Sequence, residues 1–207
     1  MSWDPYLDLR TGVLRNRLGI TDPAEFARVE ADFTSARIAQ LWRHPLPGDY
    51  DLAHLQRFHQ VIFGDLFEWA GQLRTVTMGK GGALFCDPGD LVSTAVRVFG
   101  RLAEDGHLRG LDRAAFVDKL TALLTEINFL HPFREGNGRS QRAFLAQLSR
   151  EAGHVLRWAG MDPEANRAAS RAARGGDNGP LRAMLERLVD DGPGRPPAPR
   201  SPSDHQR

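Results

Sequence analysis

Twelve consecutive residues, His131 to Arg142 (HPFREGNGRSQR), place an imidazole, a carboxylate, two glycines, an amide and the guanidinium groups of Arg139 and Arg142 within one turn between two helical stretches. Gly136 and Gly138 let the backbone approach a ligand closely, and the unpaired N–H groups opening the next helix favour an anion there. Arg139 and Arg142, three apart, are neighbours on one helix side and pair with phosphate oxygens in a bidentate way. Two such groups suggest a polyphosphate. Glu135 would repel phosphate unless a cation lay between them, and Mg²⁺ held by one carboxylate plus phosphate oxygens is the usual solution. His131, with an ordinary pKa of about 6.5, is suited to take a proton from an incoming hydroxyl, help typically worth about 10²–10⁴ in rate. Phe133 has no polar task and is expected to anchor the turn in the core, and Pro132 stiffens it.

The elements that must position this turn are mostly helical. Leading into it, Asp112 starts a helix in which Phe116, Leu120, Leu123, Ile127 and Leu130 form a buried stripe. Leading out, a helix beginning just past Gly138 carries Phe144, Leu145 and Leu148 inward. Upstream, Asp22, Pro23 and Glu25 make a capping-box signature for a helix burying Phe26, Val29 and Phe33. A second helix is expected from about Asp51 to Phe63, stopped by Gly64, and helical texture resumes near Leu91. Asp162 and Pro163 open another helix, and Leu181, Met184, Leu185 and Leu188 form the seam of a last one. Between Leu73 and Cys86 the texture changes: Thr75, Val76 and Thr77 favour a strand, Gly81 and Gly82 a turn, and Leu84, Phe85 and Cys86 a return strand. The expected fold is therefore mainly α with one β-hairpin. Residues 1–20 read as an extended lead-in packed on the domain, 21–190 as the catalytic domain, and 191–207, rich in Gly, Pro and Arg, as a tail too polar to fold.

The 207 residues fit one domain, and 41% apolar with 26% charged residues is ordinary for a folded chain. Lys plus Arg number 27 against 26 Asp plus Glu, a formal charge of +1, so no field recruits nucleic acid or an anionic membrane. No window approaches the roughly 20 apolar residues of a membrane helix, and no secretory signal opens the sequence. A single cysteine, Cys86, excludes an internal disulfide and fits a reducing compartment, so the cytoplasm is expected. His44, His54, His59, His107, His154 and His205 show no ligand-like pairing, and Trp69 reads as core.

Residues 131–142 match every fixed position of the signature HxFx[D/E]GNGRxxR, and on this the chain resembles the Fic family. Leu66-Phe67-Glu68-Trp69-Ala70-Gly71 and Lys80-Gly81-Gly82 extend the resemblance over roughly residues 5–190. It implies a compact helical bundle with a hairpin flap over the active site, the flap Leu73 to Cys86 holding a segment of a target protein by strand addition. It implies protein AMP transfer: His131 deprotonates a Ser, Thr or Tyr hydroxyl that attacks the α-phosphate of ATP, expelling pyrophosphate, while Glu135 holds Mg²⁺. Asn137 would hydrogen-bond the α-phosphate, with Gly136, Gly138 and Ser140 among the phosphate contacts and Arg139 and Arg142 on the β- and γ-phosphates. Lys80, Gly81 and Gly82 would border the nucleotide.

Many family members carry an inhibitory helix with the pattern [S/T]xxxE[G/N], whose glutamate pairs with the second motif arginine. The nearest approach here, Thr21 to Glu25, is followed by Phe26 and already opens a core helix. The chain therefore resembles the toxin half of a Fic toxin–antitoxin pair, restrained by a small antitoxin protein, or a type IV secretion effector acting in a host cytosol. Two other readings compete. Relatives with altered motifs transfer other groups, against which the intact Gly136-Asn137-Gly138 argues; and a non-catalytic binding module would not need both His131 and Glu135.

Overall fold

The computed structural model describes residues 4–191. Seven α-helices run in chain order: α1 (Pro23–Arg43), α2 (Leu52–Phe63), α3 (Leu91–Glu104), α4 (Arg113–Leu130), α5 (Asn137–Glu151), α6 (Pro163–Arg174) and α7 (Gly179–Leu188). Four of their starts are set by an aspartate: the carboxylates of Asp22, Asp51, Asp112 and Asp162 accept the N–H three residues on, satisfying a donor that the helix cannot. Only half of the expected capping box forms at α1, because Glu25 is exposed and Asp22 alone closes the cap.

The stripe on α4 is buried as expected, with Phe116, Leu120, Ile127 and Leu130 fully enclosed. On α5, Phe144, Leu145 and Leu148 are likewise enclosed, each such burial contributing about 1.5–3 kcal/mol. α5 packs on α2 and α1, and α4 on α3, α6 and α7, so the turn between α4 and α5 lies where both groups of helices meet. α1 departs from expectation: Phe26, Thr34 and Leu41 face inward, Val29 is half-buried and Phe33 is 39% exposed. The longer helix, 21 residues, turns its buried face away from the row that its first turns suggest.

The hairpin is much shorter than expected. β1 (Gly79–Lys80) pairs antiparallel with β2 (Ala83–Leu84), and one further bond joins the Phe85 N–H to the Met78 carbonyl. Gly81 and Gly82 both have positive φ, 61° and 81°, as a two-residue primed turn requires. Thr75, Val76 and Thr77 are not in a strand, because their neighbourhood bonds elsewhere: the Arg74 N–H donates to the Pro132 carbonyl and the Thr75 N–H to the Tyr6 hydroxyl. Tertiary contacts override β propensity here. A second hairpin-like pair, β3 (His154–Leu156) with β4 (Val189–Asp191), was not anticipated. Apart from the β4 backbone at Asp191, the expected 191–207 tail lies outside the described residues, as does His205.

The lead-in packs on the helices. Leu7 and Leu14 form an antiparallel bridge, Tyr6 meets Trp69 edge to face at 5.2 Å, and Asp4 pairs with Arg134 of the α4–α5 turn at 2.8 Å. Among the described residues no helix is long and apolar enough to cross a membrane.

Candidate active site

The α4 stripe ends at Leu130, and the next residue, His131, ends the helix in the left-handed region at φ 43°, ψ 59°. A non-glycine residue held there is strained, and such strain gathers at functional sites. Its imidazole lies face to face under Phe85, ring centroids 3.8 Å apart and planes within 6°. Burial pushes the His131 pKa down to about 3, helped by the cationic Arg74, Arg174 and Lys80. At neutral pH the ring is therefore uncharged, the form that accepts a proton.

Past His131 the chain doubles back. Phe133 is fully buried and packs against the His59 ring, centroids 4.0 Å apart and planes tilted by 31°. Gly136 adopts φ 80°, and a Cβ there would stand 2.3 Å from the Phe63 ring, so glycine is required twice over. α5 then opens with Gly136 as its cap. No hydrogen bond reaches the N–H of Asn137 or Gly138 among the described residues, which leaves two donors at a positive helix end.

A cavity of about 410 Å³ lies against this turn; His131, Gly138, Arg142, Lys80, Phe85 and Arg174 are in its wall. Of the expected site residues the structure thus brings together His131, Gly138, Arg142 and Lys80. Arg142 is well placed to bind an anion: it makes no ion pair or side-chain hydrogen bond among the described residues, and burial together with Arg139 lowers its pKa. Gly81 and Gly82 shape the flap turn but do not line the cavity.

Three expected ligand contacts are corrected by the geometry. The Asn137 amide is spent within the turn, accepting from the Phe133 N–H at 2.9 Å and donating to the Phe133 carbonyl at 2.6 Å. It staples the loop, and at 3% exposure it lies outside the cavity wall. Arg139 turns toward α1, pairing with Glu30 at 2.8 Å and contacting the Thr34 hydroxyl, and lies 3.5 Å from Glu135 and 4.7 Å from the Phe63 ring centroid. Its charge is already neutralised, so Arg142 alone of the pair faces the cavity. Ser140 is fully buried on the inward face of α5, one turn before Phe144, and its hydroxyl cannot reach a ligand.

Glu135 keeps a half-exposed carboxylate, one oxygen of which accepts the Gly136 N–H at 2.8 Å. Among the described residues no group of three acids, histidines or cysteines could hold a metal by itself. A cation here would have to share Glu135 with ligand oxygens, which is how Mg²⁺ is commonly held.

Several residues escaped the sequence reading. His59 is fully buried: its Nδ1 accepts the Gly71 N–H at 2.8 Å, which makes Nε2 the donor to the Glu135 carbonyl at 2.9 Å. Burial pushes its pKa down to about 4, so it is a neutral brace under the α4–α5 turn. Arg174 of α6 holds its guanidinium 5.0 Å from the Phe85 ring centroid and has a buried nitrogen, Nη1, with no hydrogen-bond partner among the described residues. Nothing local marks Arg174, which reaches the site only through the fold.

Residues 49–149 match the Fic/DOC family. A protein adenylyltransferase named VbhT from Bartonella schoenbuchensis is 40% identical over 188 residues, 91% of this chain but only 39% of the relative, so this chain spans about two fifths of that protein. A Salmonella typhimurium chain described as a probable protein adenylyltransferase, Fic, is 37% identical over 91% of this chain and 93% of its own length. Among solved structures, the N-terminal Fic domain of a VirB-translocated Bep effector from Bartonella quintana, with bound ADP, superposes with a TM-score of 0.87 at 26% identity over 91% of this chain and 95% of that one. BepC from Bartonella tribocorum, with bound AMPPNP, gives 0.85 at 25% identity, covering 90% and 96%. With the motif complete, its turn closed on a neutral imidazole and the match running nearly end to end in the Salmonella relative, the chain belongs to the Fic/DOC family.

Proposed function

We propose that this chain transfers AMP from ATP to a hydroxyl group of another protein. One observation carries the reading: a neutral imidazole, an unpaired guanidinium and free helix N–H groups converge on a single cavity. Relatives of matching length are described as probable protein adenylyltransferases, and two structural neighbours hold adenine nucleotides, which supports ATP as the substrate.

In this mechanism the triphosphate lies against the N–H groups of Asn137 and Gly138, with Arg142 on its terminal phosphates. His131 takes the proton of a Ser, Thr or Tyr hydroxyl as its oxygen bonds to the α-phosphorus. The bond from that phosphorus to the bridging oxygen breaks, and pyrophosphate leaves with the electron pair. Mg²⁺, shared between Glu135 and the phosphates, would supply charge neutralisation for the leaving group. The negative charge of a nucleotide would offset the smaller share of the His131 depression that Arg74, Arg174 and Lys80 contribute, while the larger share, due to burial, remains.

The flap tip is the place for the acceptor. Leu84 of β2 is 67% exposed, and two-residue strands leave main-chain groups free for an incoming segment. A separate helical partner would restrain the enzyme. An apolar groove of about 400 Å³ runs between α1 and α5, bordered by Ile38, Trp42, Ala143 and Ala146, and it shares Arg142 and Trp158 with the nucleotide cavity. A partner helix carrying a glutamate could fill the groove and take Arg142 away from ATP. No acid of the chain does so among the described residues: Glu25 is exposed, and Glu30 reaches Arg139 instead. The cytoplasm of the producing cell or of a host is the matching compartment.

The test is incubation with labelled ATP, Mg²⁺ and bacterial lysate, with mass spectrometry for proteins gaining one AMP. Labelling that is lost in His131→Ala is expected; equal labelling by both proteins would remove His131 from the reaction.

A further inference from the structure

Arg74 is an unusual side chain to find in a core. It is 2% exposed, and it has no carboxylate partner among the described residues. Every hydrogen bond of its guanidinium goes to a main-chain carbonyl, and the three carbonyls belong to three different segments. Nε donates to the His131 carbonyl at 2.8 Å, Nη1 to the Val76 carbonyl at 2.7 Å, and Nη2 to the Cys86 carbonyl. Its own N–H donates to the Pro132 carbonyl at 2.9 Å. One rigid planar group thus holds the entry of the catalytic turn, the ascending limb of the flap and the descending limb.

We propose that Arg74 is a positioning residue that registers the flap against His131, so that the segment receiving the acceptor and the base activating it share one frame. The inference rests on the function proposed above. Two consequences of the contacts support it. The strained backbone of His131 is held at its carbonyl by the Arg74 donor and at its N–H by the Ile127 carbonyl, and of the two only the first comes from the flap. The bond to the Cys86 carbonyl also fixes the residue next to Phe85, which covers the His131 ring. A burial cost for an arginine without a counter-ion is tolerated because the fork geometry suits three carbonyls, which lysine, with one rotating point charge, cannot match.

Removal of the fork and removal of the charge can be separated. The charged groups facing His131 are Arg74, Arg174 from α6 and Lys80 from β1. Arg74→Lys keeps the charge and loses the fork; Arg74→Gln loses both. Arg74 is not in the cavity wall, so ATP affinity measured by calorimetry should change less than about threefold in either variant. Transfer of labelled AMP to lysate proteins should fall at least about tenfold in both, the scale of a misplaced reacting group. The acid limb of the rate should stay in place for Arg74→Lys and move to higher pH for Arg74→Gln. Wild-type transfer rates in Arg74→Lys with ATP binding intact would overturn the proposal, whereas no transfer by the wild type would instead overturn the function beneath it. If neither variant folds, hydrogen exchange on the unaltered protein decides: the amides of Arg74, Phe85 and Cys86 should be protected like those of α4 while Gly81 and Gly82 exchange quickly. A flap base exchanging as fast as its tip would sink the clamp.

Discussion

Phe85 covers the His131 imidazole face to face, 3.8 Å between centroids, although no fixed motif position includes it. Stacking excludes water from one side of the ring, and burial is the first cause of its lowered pKa. Phe85→Ala should therefore raise the His131 pKa by roughly one unit toward 6.5, read by NMR titration of labelled histidine. An unchanged titration would mean that the stack contributes nothing to the proton affinity of the base.

The same depression predicts how stability depends on pH. His131 titrates near 3 in the folded chain and near 6.5 when unfolded, so between those values the unfolded state binds more protons. Its contribution is fully present above pH 6.5 and is lost as pH falls toward 3, by up to about 1.4 kcal/mol for each unit. Comparison of melting at pH 7 and pH 4.5 should show a larger fall in the wild type than in His131→Gln. Parallel curves would count against the buried neutral imidazole.

The two motif arginines should part company on substitution. Among the described residues the Arg142 guanidinium has no partner, and it faces the cavity, so Arg142→Ala should cost about 10- to 100-fold in ATP affinity, the range of a hydrogen bond to a charged group, with melting unchanged or raised. Arg139 is tied to Glu30 and Glu135, so Arg139→Ala should chiefly lower the melting temperature. Partial exposure of the pair limits that loss to about 1–2 kcal/mol. A double-mutant cycle with Glu30→Ala should show non-additive losses; additive ones would mean that the pair is not coupled.

Much of this was legible because the signals are local. Aspartates before helical runs and a stripe at i, i+4, i+7, i+11 and i+14 act within a few residues of themselves, and they marked α4 and the turn after it. The sequence showed which residues cluster in the turn but not which way each side chain points. Asn137 and Arg139 look alike as phosphate donors on paper, yet one is captured by Phe133 four residues before it and the other by Glu30, 109 positions away. Thr75 to Thr77 read as strand because β propensity was all there was to weigh, while the partner that withdraws Thr75 from a ladder is Tyr6 of the lead-in. Long-range capture of polar groups is not periodic and leaves no local trace.

Gly136 offers the sharpest structural test, because it is held by two independent constraints. At φ 80° any other residue pays the left-handed penalty of roughly 1–2 kcal/mol, and a methyl group would overlap the Phe63 ring. That ring cannot retreat, since Phe63 is fully buried and stacked with His59, itself bonded to the Glu135 carbonyl. Gly136→Ala should therefore destabilise by more than about 2 kcal/mol, and should also weaken ATP binding by tilting the first N–H groups of α5. Adding Phe63→Ala should relieve the overlap and recover part of the binding despite its own cavity cost, leaving the backbone penalty behind. If the double variant binds ATP no better than Gly136→Ala alone, the overlap is not what places those N–H groups, and the φ requirement of the turn must account for the whole effect.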